Sequence, residues 1–166
     1  MPSIIDDDQL KKKCQVFTPT DIVDYMLDMA IYNDGLYGKS FLENSCGDGQ
    51  ILVRIVDRYI SDCKLHGLHT DLIKSGLEND IVAYDIDPQM VACTQQKLDA
   101  LALQNGFTSV KWDIRNADFL SDDSQKKYDY IFGNPPYISY ADLPAESRKY
   151  LRQNFSSCKK GKFDYS

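Results

Sequence analysis

The chain has 166 residues, of which 43% are hydrophobic, so it is long enough for one globular domain with a buried core. Its formal net charge is −6, whereas a domain that grips nucleic acid over its whole surface is usually basic. Any contact with nucleic acid must therefore be local or lie outside this chain.

The five cysteines are scattered, and no two of them have C-x-x-C spacing. This pattern argues against a disulfide framework and a zinc site, and it fits a reducing cytosol. There is no apolar run long enough to span a membrane and no secretion leader. His66 and His69 have no nearby set of ligand partners, so we interpret them as solvated loop residues rather than as metal ligands.

The first predicted helix follows a polar, charged arm over residues 1–14. Thr18 is a suitable N-cap, Pro19 suits the first helical position, and Asp21 places an acid in the first turn. Apolar residues then recur at helical spacing up to Ile31. The pattern predicts an amphipathic helix.

A strand, a glycine turn and a helix come next. Residues 40–43 predict a short strand that ends in Glu43, and the turn after it contains Gly47 and Gly49. This order is typical of a dinucleotide-type cofactor site. An acid at the end of the strand is unsuited to a phosphate but suited to a cofactor that carries an ammonium group. The alternative is a tight turn that needs its glycines for packing.

Residues 61–80 are more polar than their surroundings. We predict an insertion or extended connection there, with a short helix around residues 70–75. Such an insertion explains why the acids at the ends of the first and second strands are far apart in the sequence.

The second predicted strand begins at Ile81 and carries Asp85 at its carboxyl end. Asp87 and the proline after it are expected to cap a long helix that ends near Gln104. In Rossmann-like sheets an acid in the position of Asp85 holds a ribose diol. The alternative is a capping or loop carboxylate. Ile86 is expected either against the adenine ring of a cofactor or in the core.

A third strand is predicted over residues 110–114, with a turn over residues 116–120. Asp118 and Phe119 lie in that turn. Aspartate is common in turns for local reasons, so a structural role for Asp118 stays open.

The fourth predicted strand, residues 128–132, runs into a rigid turn. Pro135 and Pro136 fix φ and remove two N–H donors. The Asn134 side-chain oxygen and the carbonyls around the prolines remain as acceptors, with the Tyr137 ring beside them. This set suits a planar group with an –NH₂, whose delocalised lone pair the acceptors would localise toward an electrophile. The alternative is an ordinary Asn-Pro-Pro turn.

Residues 134–137 resemble the catalytic Asn-Pro-Pro-Tyr motif of amino-methyltransferases that use S-adenosyl-L-methionine. These include N6-adenine DNA methyltransferases and glutamine-N5 protein methyltransferases. Phe17, Thr18 and Pro19 resemble the N-terminal cofactor motif of the DNA enzymes, which the protein enzymes do not carry in this form. The chain is therefore identified as the N-terminal catalytic portion of a restriction–modification adenine methyltransferase with gamma-type motif order.

The resemblance implies a cofactor site in which Asp118 accepts from the cofactor's adenine amine. The turn after Glu43 departs from the family pattern, because Asn44 stands where proline is usual. The implied cofactor-binding residues are Phe17, Thr18, Pro19, Glu43, Ser45, Cys46, Gly47, Gly49, Asp85, Ile86, Asp118 and Phe119. The implied catalytic residues are Asn134, Pro135, Pro136 and Tyr137, and the transfer that they support needs no metal.

The resemblance also implies the fold, a Rossmann-like α/β domain with a mainly parallel sheet and helices on both faces. Four strands are predicted, in the order 3-2-1-4, fewer than in a complete sheet of this class. Residues 1–31 would form an N-terminal helical region with the Phe-Thr-Pro motif, and residues 40–166 the sheet with the cofactor and catalytic motifs. A target-recognition domain is expected beyond the carboxyl end of this chain.

The expected partner is double-stranded DNA, with a flipped adenine in the site, in the cytoplasm of a bacterium or archaeon. Basic residues over 148–162 would either touch DNA phosphates or form a solvated surface. Two other functions stay open. The first is a glutamine-N5 protein methyltransferase, and the second is a cofactor-binding fragment without turnover of its own.

Overall fold

The computed structural model describes residues 18–122, 126–134 and 143–155. The chain divides into two compact units. The larger unit is Phe17–Gly133, and the smaller unit comprises Met1–Val16 and Asn134–Ser166. Among the described residues, no helix is both long and apolar enough to cross a lipid bilayer.

The larger unit is built on a parallel sheet with the strand order β3-β2-β1-β4, which confirms the predicted order. Its elements in chain order are α1 (Thr20–Met29), β1 (Phe41–Glu43), α2 (Gln50–Leu65), α3 (Thr70–Asn79), β2 (Ile81–Asp85), α4 (Pro88–Gln104), β3 (Asp113–Asn116), a 3₁₀ turn (Phe119–Ser121) and β4 (Tyr130–Phe132).

The two faces of the sheet carry separate apolar clusters, because side chains alternate along each strand. Phe41 and Ile81 face the main core, to which α1, α2, α3 and α4 all contribute. Leu42 and Val82 face a smaller cluster on the opposite side. The steps from β1 to β2 to β3 run in one direction, and right-handed crossovers then place their helices on one face. A helical layer on the second face stays a prediction.

The start of α1 differs from the prediction by one residue. Pro19 is the N-cap, with φ −56° and ψ 146°, and the cap has no side-chain hydrogen bond. The extended ψ of Pro19 excludes it from the helix, so Thr18 is not the N-cap. The helix also ends at Met29 rather than Ile31, which has a positive φ of 57°. Asp21 lies in the first turn, as predicted.

The short helix predicted around residues 70–75 is confirmed, but the segment before β2 is not an extended connection. The helix α2 continues to Leu65, and α3 then covers ten residues, Thr70–Asn79. Ile73 and Leu77 are one turn apart on α3 and are buried in the main core. This segment therefore belongs to the same helical layer as α1, α2 and α4, which packs on the main core.

The predicted α4 is confirmed at both ends. The Asp87 carboxylate accepts a hydrogen bond from the Gln89 N–H at 2.8 Å, and Pro88 occupies the first turn. Gly106 follows the helix with a φ of 88°, a left-handed value that glycine adopts readily.

Two strands are shifted from their predicted bounds. β3 lies at Asp113–Asn116 rather than at residues 110–114, because its register is set by pairing with Val82 to Asp85 of β2. β4 begins at Tyr130 rather than at residue 128.

The described part of the smaller unit contains α5 (Ala145–Asn154). Leu143, Ser147 and Leu151 are buried at helical spacing.

Candidate functional site

The glycine turn lies between β1 and α2, at the carboxyl end of the sheet. Gly47 and Gly49 have positive φ values of 51° and 84°, which other residues adopt only with strain. The Cys46 N–H donates to the Tyr84 carbonyl at 2.8 Å, and the Gly49 N–H donates to the Cys46 carbonyl at 2.8 Å. These bonds hold the turn beside the end of β2.

The Asp85 carboxylate supports this turn directly. Its Oδ2 accepts from the Gly47 N–H at 2.8 Å, and its Oδ1 accepts from the Asp87 N–H at 2.9 Å. Burial raises the pKa of Asp85, and backbone hydrogen bonds from Asp87, Gly47 and Ile86 partly oppose that shift. A carboxylate has about four acceptor positions, so these bonds leave room for a ligand hydroxyl.

Glu43 is a buried acid at the end of β1, and the described residues do not satisfy the full hydrogen-bonding capacity of its side chain. The residue is 1% exposed, and its Oε2 has no hydrogen-bond partner within the described part of the chain. Burial raises the pKa of Glu43 well above its usual range, and the charges of Asp85 and Asp48 add to the shift. A buried carboxylate without a partner is costly. A bound cation would remove that cost.

Asn44 and Gly133 are matched to each other. The Asn44 Oδ1 lies so close to Gly133 that a Cβ at that position would overlap it. The Ser45 hydroxyl is 3.5 Å from the same oxygen. Asn44, which departs from the family pattern, therefore fits only because residue 133 is a glycine without a side chain. That glycine directly precedes Asn134.

The residues predicted for the third cofactor position have clear structural roles. Asp118 accepts from the Leu120 N–H at 3.0 Å and caps the 3₁₀ turn, the local role left open by the sequence. The Phe119 ring meets the Tyr84 ring edge-on, with centroids 5.3 Å apart, in the smaller apolar cluster. Ile86 is half-buried directly after β2.

The structure thus brings together Glu43, the glycine turn with Ser45 and Cys46, and Asp85. Thr18 and Pro19 are at the start of α1. Phe17 and the predicted catalytic residues Pro135, Pro136 and Tyr137 lie outside the described residues. Asn134 is the first residue of the segment 134–166 of the smaller unit.

Two residues of α4 that the sequence interpretation missed also contact the turn. The Thr94 hydroxyl donates to the Gly47 carbonyl at 2.8 Å. The Lys97 Nζ is 2.6 Å from the Asp48 Oδ2. Their spacing of three residues places both on one side of a helix, but the sequence carries no signal that this side meets the turn.

His66 and His69 are exposed in the connection between α2 and α3, as predicted, and both side chains also make local contacts. His69 is the N-cap of α3, and its ring accepts from the Asp71 N–H at 3.4 Å. The His66 Nε2 is 3.3 Å from Asp34, and its Nδ1 is 3.2 Å from Asp62. A hydrogen bond to the Asp62 carbonyl and the Asp62 charge raise the pKa of His66. Carboxylates at opposite ring nitrogens suit an imidazolium that donates both N–H groups.

Comparison with known proteins gives matches in sequence and in fold. A family model described as Eco57I restriction-modification methylase matches residues 72–166. The chain is 28% identical over 148 residues to the type II methyltransferase M.PaeR7I of Pseudomonas aeruginosa, a match that covers 82% of this chain and 25% of that protein. It is also 28% identical over 140 residues to M.HincII of Haemophilus influenzae, covering 84% of this chain and 20% of that protein. The chain therefore spans about a quarter or less of the length of these relatives.

Two solved structures share the fold at low sequence identity. A cryo-electron-microscopy structure of a DrdV–DNA complex matches with a TM-score of 0.63 and 14% identity, over 90% of this chain and 18% of that chain. A nuclease-deletion mutant of the Type ISP restriction-modification enzyme LlaGI, bound to a DNA substrate mimic, matches with a TM-score of 0.62 and 16% identity, over 86% of this chain and 15% of that chain.

Proposed function

Because the chain belongs to the Eco57I restriction-modification methylase family, we propose that it forms the cofactor-binding and catalytic part of an N6-adenine DNA methyltransferase. Family membership confirms the restriction–modification methyltransferase identification made from the sequence motifs. The methylated atom, the cofactor, the DNA partner and the motif order belong to the proposal. The observation that carries it is the buried Glu43 oxygen beside the glycine turn, which has no hydrogen-bond partner among the described residues.

The side chains at the turn fit S-adenosyl-L-methionine. Its ammonium group would supply a positively charged partner for the Glu43 carboxylate, and its ribose hydroxyls would donate to the remaining acceptor capacity of Asp85. Thr18 and Pro19, with Phe17 before them, would cover the methionine end, as the family motif implies. Asp118 has already used one carboxylate oxygen for its turn, and its other oxygen would accept from the cofactor's adenine amine.

The chemistry proposed for the chain is to position a flipped adenine and to raise the reactivity of its amine. The cofactor, when bound, supplies a methyl group on a positively charged sulfur. The Asn134 side-chain oxygen and the Pro135 carbonyl would accept the two N6 hydrogens, which localises the nitrogen lone pair toward the methyl group. Pro136 would keep the turn rigid, and Tyr137 would stack on the adenine ring.

The proposal assigns the remaining parts of the enzyme by analogy with the family. Residues 1–31 would form the helical region with the Phe-Thr-Pro motif, and residues 40–166 the sheet with the cofactor and catalytic motifs. Target recognition in double-stranded DNA would require chain beyond this sequence, because the relatives are about four times longer. We place the enzyme in the cytoplasm of a bacterium or archaeon. A glutamine-N5 protein methyltransferase is disfavoured by the family match.

The cofactor half of the proposal is tested by calorimetry with S-adenosylmethionine. Glu43→Gln should weaken binding strongly, because it removes the charge that pairs with the ammonium group. Glu78→Gln is the matched control, since Glu78 accepts from the Lys111 N–H on another part of the surface. Equal affinities for the two variants would refute the role of Glu43.

The catalytic half is tested by transfer of labelled methyl groups to unmethylated DNA, in the enzyme with its recognition region. Asn134→Ala should abolish transfer, a loss of at least about a hundredfold for a residue that acts on the transition state, while cofactor affinity is retained. A release factor as the acceptor tests the protein-methyltransferase alternative. Full turnover of the variant would mean that Asn134 does not hold the amine.

A further inference from the structure

The glycine turn is held from the side of α4 as well as by the sheet. The Thr94 side chain is fully buried, and its hydroxyl donates to the Gly47 carbonyl at 2.8 Å. The Gly47 N–H on the same residue donates to Asp85 at 2.8 Å. One peptide segment of the turn is therefore fixed from both β2 and α4.

The fit between Thr94 and the turn also depends on shape. A Cβ on Gly49 would lie 2.9 Å from the Thr94 Oγ1 and 3.0 Å from its Cγ2. Thr94 thus occupies the space that a side chain at Gly49 would need. Gly49 is required by this close approach in addition to its φ of 84°.

One helical turn further along α4, Lys97 forms an ion pair with Asp48, the charged residue of the glycine turn. Its Nζ is 2.6 Å from the Asp48 Oδ2, and the two side chains are 36% and 19% exposed. Asp48 is one of the two carboxylates whose charge acts on Glu43. The ammonium group of Lys97 therefore offsets a negative charge that otherwise opposes ionisation of Glu43.

We propose that Thr94 and Lys97 are positioning residues for the cofactor: Thr94 fixes the shape of the turn, and Lys97 offsets the Asp48 charge beside Glu43. The inference rests on the proposed function, because it takes the turn and Glu43 as the cofactor site. It adds that the affinity of the site is set in part by side chains on α4, behind the turn.

The titratable groups that face Glu43 come from two elements. Asp85 acts on it electrostatically from β2, while Asp48 and the Cys46 thiol do so from the turn. On the other side, β1 pairs with β4, where the residue in register with Glu43 is Phe132, which carries no charge. Of these groups, Asp48 has a cationic partner on α4.

The shape role is tested by hydrogen exchange of the Gly47 and Gly49 amides in the free 166-residue chain, together with S-adenosylmethionine affinity. Thr94→Val keeps the size of the side chain and removes its donor, so we expect faster exchange and affinity weaker by about threefold to tenfold, the equivalent of one net hydrogen bond. Thr94→Ser retains the donor and should restore protection and affinity. Unchanged exchange in Thr94→Val would overturn this role.

The charge role is tested by the pH profile of cofactor affinity in a double-mutant cycle. Lys97→Met should shift the profile to higher pH, and Asp48→Asn should shift it to lower pH. In the Asp48→Asn background, Lys97→Met should have little further effect. Lys74→Met is the control, because the Lys74 ammonium group donates to the Thr108 carbonyl and not to a residue of the glycine turn. A purely structural role would lower affinity without moving the profile, and that result would overturn the charge role.

The two proposals fail in different ways. If the unsubstituted, folded chain does not bind S-adenosylmethionine, the proposed cofactor site is wrong for this chain. The exchange measurement still decides whether Thr94 holds the turn, because it needs no ligand. Normal binding with unchanged exchange and parallel pH profiles would refute the α4 inference alone.

Discussion

At the scale of single residues, the site contains groups that are unfavourable for the folded chain. Glu43 is almost fully buried near two other carboxylates, and one of its oxygens lacks a hydrogen-bond partner in the part of the chain that the structure describes. Burial of such a group is tolerated when the surrounding structure is stable enough and when a ligand gains from it. Function and stability therefore make opposite demands at this position, and one substitution can separate them.

Glu43→Gln should stabilise the free protein while it weakens cofactor binding. The folded-state pKa of Glu43 is raised above the ordinary value of 4.5, so the unfolded chain loses this proton first as the pH rises. As the pH rises from the unfolded-state pKa to the folded-state pKa of Glu43, the free energy of unfolding of the wild type should fall by at most about 1.4 kcal/mol per pH unit. The variant lacks this loss. Chemical denaturation from pH 4 upward measures it, and parallel stability curves for the two proteins would contradict the prediction.

Gly133 offers a second residue-scale prediction, because Asn44 occupies the space of its missing side chain. Gly133→Ala should lower the free energy of unfolding by about 1–3 kcal/mol through overpacking. Asn44→Ala removes the overlapping oxygen, so the double variant should recover most of that loss. Urea denaturation of the three variants and the wild type provides the cycle. Additive losses would show that the two residues do not compete for space.

At the scale of elements, the sequence predicted the ends of a helix correctly where several local signals mark the same boundary. The cap at Asp87, the proline after it and the glycine at 106 mark both ends of α4, and the structure has the helix there. The order of the strands also followed from the motifs. The third helix was predicted too short, around residues 70–75, because it has only two strongly apolar core positions, Ile73 and Leu77, and a glycine between them that is unfavourable in a helix.

The site shows the same division between local and tertiary information. Glu43 and Asp85 were predicted because an acid at the carboxyl end of a strand is visible in the sequence. Thr94 and Lys97 were not predicted, because the face that a helix turns toward a distant loop is decided by packing. The Thr18 cap failed for a smaller reason, since the ψ of Pro19 depends on the path of the chain into α1.

The glycine within α3 gives a prediction at the scale of this element. A Cβ on Gly76 would overlap the Tyr59 hydroxyl of α2, and that hydroxyl donates to Asp80 at 2.5 Å. Alanine normally favours a helix over glycine by about 1 kcal/mol. Gly76→Ala should nevertheless lower the free energy of unfolding by about 1–3 kcal/mol. Thermal denaturation measures the sign, and the Tyr59→Phe background should reduce the loss. Stabilisation by Gly76→Ala would mean that α2 and α3 are not closely packed there.

At the scale of the whole molecule, the net charge bears on where the proposed enzyme would bind DNA. The chain has a net charge of −6, whereas DNA affinity arises largely from basic residues that displace counterions from phosphates. The relatives that share this region are about four times as long. Under the proposed function, we therefore expect residues outside this region to supply most of the DNA affinity.

The 166-residue chain should therefore bind duplex DNA weakly, even when it binds S-adenosylmethionine. We expect a dissociation constant no tighter than the nonspecific range of about 10⁻⁴ to 10⁻⁶ M at physiological salt, and a shallow salt dependence, because few phosphates can be neutralised. Fluorescence anisotropy of a labelled duplex between 50 and 200 mM salt measures both quantities. A longer protein that includes the proposed recognition region is the comparison, and it should show a steeper salt slope and tighter binding. Nanomolar affinity with a steep slope for the short chain would place the DNA grip within these residues, and the basic residues 148–162 would then be the first to substitute.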